Sequence, residues 1–221
     1  MASILEIDSI NISIGSKKIL SDVYLKCETN DIIGVFGLNG SGKSTLLKII
    51  FGTLTAESSF IKLNNCVLKK AYLLTNGISF LPQNHFIPSN LTVEKTIKLF
   101  VKIEHRISFF NDSLLQPILK SKISSLSEGE VNYFEVKLIV FNDSKFCILD
   151  EPFSGLSPIM AEKIAALIVE KAKVKGIIIT DPNYKNVLAI ATKIFLIKDT
   201  VGKMLKNKQE LQKIGYKIEI E

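Results

Sequence analysis

Residues 37–45 read GLNGSGKST, and no other stretch of this 221-residue chain limits its fold as tightly. In front stands the uninterrupted apolar run Ile32–Phe36, the pattern of a strand buried on both faces of a parallel sheet. Behind it, Lys43–Phe51 has the spacing of a helix. The nine residues match G-x-x-x-x-G-K-[ST] in the strand–turn–helix setting that this pattern requires. Gly37, Gly40 and Gly42 carry no Cβ, so the backbone can curl tightly and lie close to a bound group. The turn Gly37, Leu38, Asn39, Gly40, Ser41, Gly42, Lys43, Ser44, Thr45, with a helix N-terminus behind it, predicts a cradle for phosphate oxygens. Lys43 is expected to reach the β- and γ-phosphates of ATP, and the Ser44 hydroxyl to ligate magnesium.

A second apolar run, Phe146–Leu149, ends in the carboxylate pair Asp150-Glu151. Strand ends of this kind are commonplace alone, but beside the cradle the pair completes a site. Asp150 is expected to hold the magnesium through water. Glu151 is expected to orient the attacking water or accept its proton.

The rest of the chain alternates strand and helix patterns. Short runs at Ser3–Ile10, Lys18–Leu20 and Val23–Cys27, with turn residues at Gly15-Ser16 and Asn30-Asp31, predict a small antiparallel layer. A hairpin is expected at Asn64-Asn65, and a buried strand at Ile78–Leu81, ending at Pro82. Thr92–Lys120 turns helical, with a break at Phe110–Asp112, and marks an inserted helical subdomain at about 84–130. Gly176–Thr180 and Ile194–Ile197 read as further buried strands, and Lys203–Lys213 as a short basic helix. Strands alternating with helices imply a largely parallel sheet covered on both faces.

Composition narrows the function. The hydrophobic share is 47%, ample for a packed core. No run of about 18 apolar residues occurs, and MASILEIDSI lacks the pattern of a secretory signal. A membrane role is therefore expected to come through a partner. The net charge of +6 is spread over scattered lysines without an arginine-rich block, so nucleic acid is not an expected partner. Cys27, Cys66 and Cys147 lack metal spacing and read as reduced, mostly buried thiols of a cytosolic protein; His85 and His105 stand alone.

Between the two phosphate-site motifs stands Leu126-Ser127-Glu128-Gly129-Glu130, with Ser127 and Glu130 placed as a capping box for the helix that follows. Here the chain resembles the ATP-binding cassette (ABC) family, whose ATPase subunits carry a signature of the form LSGGQ. Gln83 in LPQ and the segment DEPFSGLSP at 150–158 extend the resemblance in the right order across the chain. It implies one cassette over residues 1–221, an α/β P-loop NTPase (RecA-like) with a mostly parallel sheet, an antiparallel β layer and the inserted helical subdomain. It implies that Gln83 joins Ser44 and Asp150 around Mg2+ and that Glu151 is the catalytic base. Ser127 and Gly129 are implied to contact ATP held by a second cassette. The implied partners are that second cassette, identical or not, and a membrane-spanning transporter subunit that holds the chain at the cytoplasmic face.

Five places depart from the family pattern. Ile14 stands where an aromatic side chain would stack on adenine, and Glu128 and Glu130 replace a glycine and the glutamine of the signature. Ser157 replaces an aspartate, though Ser157-Pro158 still suits a helix start. Thr180-Asp181-Pro182 puts Pro182 where the family has a histidine on the γ-phosphate. Two alternatives stay open beside the transport ATPase: a regulatory or partner-completed cassette with weak turnover, and a soluble ABC ATPase outside transport.

Overall fold

The computed structural model describes residues 2–68, 70–74, 76–212 and 215–216. Strands β1 (Ile4–Ile14) and β2 (Lys17–Glu28) form a long antiparallel hairpin whose turn holds Gly15 at φ 58°. The sequence reading divided this stretch into three shorter strands, and the structure corrects it. The interruptions are bulges: Ser9 and Asp22 have φ of 54° and 50°, and the β1–β2 register shifts between Ile7 and Ile10. The side chain of Asn11 sustains the pairing there, accepting from the Asp22 amide at 3.0 Å and donating to Ser9 O at 3.2 Å.

β3 (Ile32–Phe36) is buried at every position and leads through the glycine turn into α1 (Lys43–Phe51), with the bounds expected from the sequence. β4 (Ser58–Leu63) and β5 (Cys66–Val67) form the hairpin at Asn64-Asn65, both residues left-handed at φ 47° and 67° as a tight two-residue turn demands. The first sheet runs β2-β1-β4-β5.

β6 (Ile78–Leu81) is followed by α2 (Val93–Phe100), α3 (Ile103–Phe110) and α4 (Glu128–Phe141). Thr92 caps α2 by accepting from the Lys95 amide. Beyond Phe110 the expected helix gives way to a 3-10 turn at Gln116–Ile118, where Pro117 removes a backbone donor, and another at Ile123–Ser125. Then come β7 (Phe146–Asp150), α5 (Pro158–Ala172), β8 (Gly176–Thr180), α6 (Tyr184–Ile190), β9 (Lys193–Lys198), β10 (Val201–Leu205) and α7 (Gln209–Gln212). The basic helix expected at Lys203–Lys213 is thus mostly strand and a four-residue helix, with position 213 outside the described residues. Asp199 and Thr200 at φ 49° and 70° turn the chain back, and β10 pairs antiparallel with β9. This turn has no glycine to announce it.

The main sheet runs β10-β9-β3-β8-β7-β6, parallel throughout except at β10. Its strands feed two cores in alternation. Ile33, Val35, Ile148 and Ile178 pack with α1 and the antiparallel layer; Ile32, Phe36, Leu149 and Ile179 pack on the opposite side with α4, α5 and α6. Burial on both faces explains why these strands are uninterrupted apolar runs. The C-terminal ends of β3, β7 and β8 meet at one edge, where the glycine turn, Asp150-Glu151 and Asp181 follow. No helix among the described residues is long and apolar enough to cross a membrane.

Candidate functional site

The glycine turn is built against its neighbours. A Cβ on Gly37 (φ 153°) would lie 2.4 Å from Ser41 Oγ and 2.6 Å from Ile197 O, and one on Gly42 (φ 102°) would lie 2.9 Å from Leu20 Cδ2. Only glycine fits at either place. Gly42 is also the N-cap of α1, with no side-chain cap among the described residues and no acidic residue in the first turn. The helix start is left with backbone donors and a positive dipole end facing the turn, a ready site for an anion. The Lys43 ammonium donates to Gly37 O at 2.8 Å and Leu38 O at 3.2 Å, crossing the turn. Burial lowers its pKa, opposed by the charges of Glu151 and Asp150.

The other side of the turn collects oxygens. The Ser44 hydroxyl donates to Asp150 Oδ1 at 3.0 Å. Asp150 is 1% exposed, and its Oδ2 has no hydrogen-bond partner among the described residues. Burial pushes its carboxyl above the usual range, with Ser44 acting in the opposite sense. A buried carboxylate with a bare oxygen beside a hydroxyl is what a hard divalent cation fits. Gln83 Nε2 donates to Glu151 Oε2 at 3.1 Å, so β6 and β7 deliver both side chains to the same place. Glu151 is left-handed at φ 59°, and its amide donates to Thr180 O at 2.8 Å. Such backbone strain gathers at working sites because the surroundings must hold it. No cluster of three His, Cys, Asp or Glu side chains occurs among the described residues. A cation held here would need further oxygens from bound phosphates and water, as Mg2+ commonly takes them.

Ser127 caps α4 in a full capping box: its amide donates to Glu130 Oε2 at 2.8 Å, and Glu130 N donates back to Ser127 Oγ at 3.3 Å. Glu130 is thereby occupied locally, and Glu128 is exposed. Gly129 is buried, and a Cβ there would meet Gly155 O at 2.5 Å. Ser127 and Gly129 do not line the cavity of about 480 Å³ beside the glycine turn, which is walled by Phe36, Leu38, Asn39, Lys43, Asp181, Pro182, Tyr184 and Tyr216 among others. Ser44 meets Asp150 and Gln83 meets Glu151 behind the turn, and Glu128 and Asn132 of α4 line a small cavity together with Gln83, Asp150 and Glu151.

Several contributors escaped the sequence reading. Tyr216 Oη accepts from the Gly37 amide at 2.9 Å, and its ring stands edge-on to Phe36 and Tyr184 at 5.7 and 5.1 Å. Asp181 accepts from the amides of Phe153 and Asn183, each at 2.8 Å, tying the end of β8 to the segment after Glu151. Burial raises its carboxyl to about 6, with the charges of Glu151 and Asp150 adding to the effect. Pro182 is exposed, as is Ile14.

Comparison with known proteins identifies the family. The family model described as ABC transporter matches residues 20–154. The lipopolysaccharide export system ATP-binding protein LptB of Haemophilus influenzae is 28% identical over 217 residues, covering 88% of this chain and 87% of the relative. A probable branched-chain amino acid transport ATP-binding protein, LivF, of Archaeoglobus fulgidus is 32% identical over 204 residues, 86% of each chain. A solved ATP-binding subunit of an ABC transporter superposes with TM-score 0.82 at 20% identity, over 96% of this chain and 95% of that one, a likeness of fold. The chain belongs to the ABC transporter family, as one of its ATP-binding subunits.

Proposed function

We propose that this subunit binds Mg-ATP, hydrolyses it within a pair of cassettes, and so drives a separate membrane-spanning partner. The observation that carries the reading is the meeting of Ser44, Gln83, Asp150 and Glu151 beside the glycine turn, with Asp150 Oδ2 bare and buried. Residues 37–45 hold the phosphates through backbone amides, and Lys43 exchanges the carbonyls of Gly37 and Leu38 for phosphate oxygens. Ser44, Asp150 and Gln83 would hold the metal, which would supply charge neutralisation at the β- and γ-phosphates. Glu151 orients the attacking water and takes its proton, and the hydrogen bond from Gln83 fixes which carboxylate oxygen is free for this.

Ser127 and Gly129 present the α4 N-terminus to ATP on the opposing cassette, so that ATP favours the closed pair and hydrolysis releases it. The chain acts as one cassette over 1–221, with a helical subdomain at about 84–130. Leu99, Phe100, Ile103 and Ile107 on α2 and α3 are exposed apolar side chains, fitting a docking face for the membrane partner. That partner holds the chain at the cytoplasmic face. The relatives named above, in lipopolysaccharide export and amino acid transport, support transport over a soluble role.

A second reading rests on Pro182, which stands in the cavity wall where the family's histidine would be. In it the chain binds ATP with little turnover and an intact partner cassette supplies the hydrolysis. One experiment decides between them: Mg-ATP binding and hydrolysis by the purified chain and by Glu151→Gln. Turnover abolished by the substitution supports the first reading. Binding without turnover in both supports the second, and no binding in either refutes both.

A further inference from the structure

Helix α4 grips both of the loops that deliver the outer residues of the site. Asn132 and Glu135 stand one turn apart on the side facing a small cavity that Gln83, Asp150 and Glu151 also line. The Asn132 amide donates to Pro152 O at 3.2 Å and Ser154 O at 2.6 Å, which holds the segment after Glu151. Glu135 is 2% exposed. Its Oε1 accepts from the amides of Phe86 at 2.9 Å and Ile87 at 3.1 Å, and its Oε2 lies 2.9 Å from His85 Nδ1. All three partners follow Gln83 within the same loop.

A carboxylate this deeply buried is tolerated only when its lone pairs are met. Here one loop meets them, with two backbone donors and one ring nitrogen. The chain could have closed these amides with a backbone carbonyl or a neutral amide at lower desolvation cost. A charged acceptor instead gives shorter, stronger hydrogen bonds and a single geometry for the loop. The site residues Gln83 and Glu151, joined at 3.1 Å, are thus each followed by a segment anchored on the same helix. That helix begins at Ser127.

We propose that Glu135 is a positioning residue for the metal and nucleotide site, acting through the loop that carries Gln83, with Asn132 as its counterpart on the loop after Glu151. The inference rests on the Mg-ATP reading above. Displacement of the Ser127 end of α4 then reaches Gln83 and Glu151 together, because one rigid element carries both anchors. Glu135 itself touches neither metal nor nucleotide; it sets where Gln83 stands.

The test uses the full chain, with Glu135→Gln and Glu135→Ala beside wild type. Retention of labelled ATP is followed by equilibrium dialysis across a Mg2+ titration and in EDTA, and amide exchange is read at residues 84–87. Loss of a group that orients a metal ligand raises the Mg2+ requirement by about tenfold, and we expect this for Glu135→Ala, with a smaller rise for Glu135→Gln. ATP retention in EDTA stays unchanged, and exchange at Phe86 and Ile87 quickens. An unchanged Mg2+ requirement in both variants, with faster exchange or a lower melting temperature, overturns the proposal and leaves Glu135 a structural pin. If Glu135→Ala does not fold, the isosteric Glu135→Gln decides by the same midpoint. A wild-type chain that retains no Mg-ATP refutes the underlying reading as well, whereas retention with equal midpoints refutes the role of Glu135 alone.

Discussion

The phenol of Tyr216 accepts a hydrogen bond from the amide of Gly37, 2.9 Å away and 179 positions earlier in the chain. It joins residue 216 to the neck of the glycine turn. Tyr216→Phe keeps the ring contacts with Phe36 and Tyr184 but strands the Gly37 donor. The expected cost is about 1 kcal/mol, seen as weaker ATP binding in calorimetry with little change in melting temperature. Unchanged affinity would show that the turn holds its shape without this bond.

On the proposed Mg2+-binding role, Asp150 sets function against stability. Its buried carboxyl is raised by desolvation and has one bare oxygen. Asp150→Asn removes the buried charge, so the nucleotide-free protein should melt at a higher temperature while Mg-dependent ATP retention is lost. A lower melting temperature would contradict the view that the bare carboxylate is a strain on the empty fold.

Asp181 gives stability a pH dependence. Its folded pKa is about 6 against an ordinary 3.8, so between those values the folded state holds a proton that the unfolded chain has released. Stability from this group is therefore full below pH 3.8, falls as pH rises to about 6, and is level above. Urea unfolding of wild type and Asp181→Asn, compared across that window, should diverge with the variant losing less as pH rises. Parallel curves would remove Asp181 as the cause.

Lys137 and Asp112 form a buried ion pair between α4 and the end of α3, with Tyr133 also donating to Asp112 and the Lys137 ammonium over the Phe109 ring. Lys137→Met leaves Asp112 buried without its countercharge, and a loss of about 3–5 kcal/mol is expected in denaturant unfolding. Pairing it with Asp112→Asn should restore much of that loss. Additive effects of the two substitutions would argue against a coupled pair.

Gly129 predicts a packing defect. A methyl group placed there meets Gly155 O at 2.5 Å, so Gly129→Ala must push the 154–156 segment away from α4. A destabilisation of about 1–3 kcal/mol is expected, with chemical-shift changes at Gly155 and Leu156.

What was legible in the sequence follows from how each element is held. Ile32–Phe36 and Gly176–Thr180 are buried at every position and Ile78–Leu81 at all but Phe80, so each shows as a short, largely apolar run with sharp ends. The glycine turn and Asp150-Glu151 are short local patterns, and the geometry brings them together with Gln83. The β1–β2 hairpin was read as fragments because its bulges at Ser9 and Asp22 break the alternation without breaking the pairing. β10 was hidden among lysines on an edge strand, behind a turn without glycine. Tyr216, Asn132 and Glu135 left no trace, since each works by a polar contact to a residue remote in sequence. Periodicity reports which face is apolar, not which distant amide a buried oxygen will meet.

The start of α1 has its own bearing on how this protein behaves in solution. Gly42 caps that helix without a side chain, and no carboxylate stands in the first turn to answer its free amides. A segment of this kind is finished by whatever anion binds it, and binding to the folded chain alone raises stability with the logarithm of anion concentration. Phosphate or sulfate in a buffer should therefore raise the melting temperature more than chloride at equal ionic strength. If the proposed site binds as expected, the folded chain and its nucleotide form one thermodynamic object, and the anion-free protein is the less stable form.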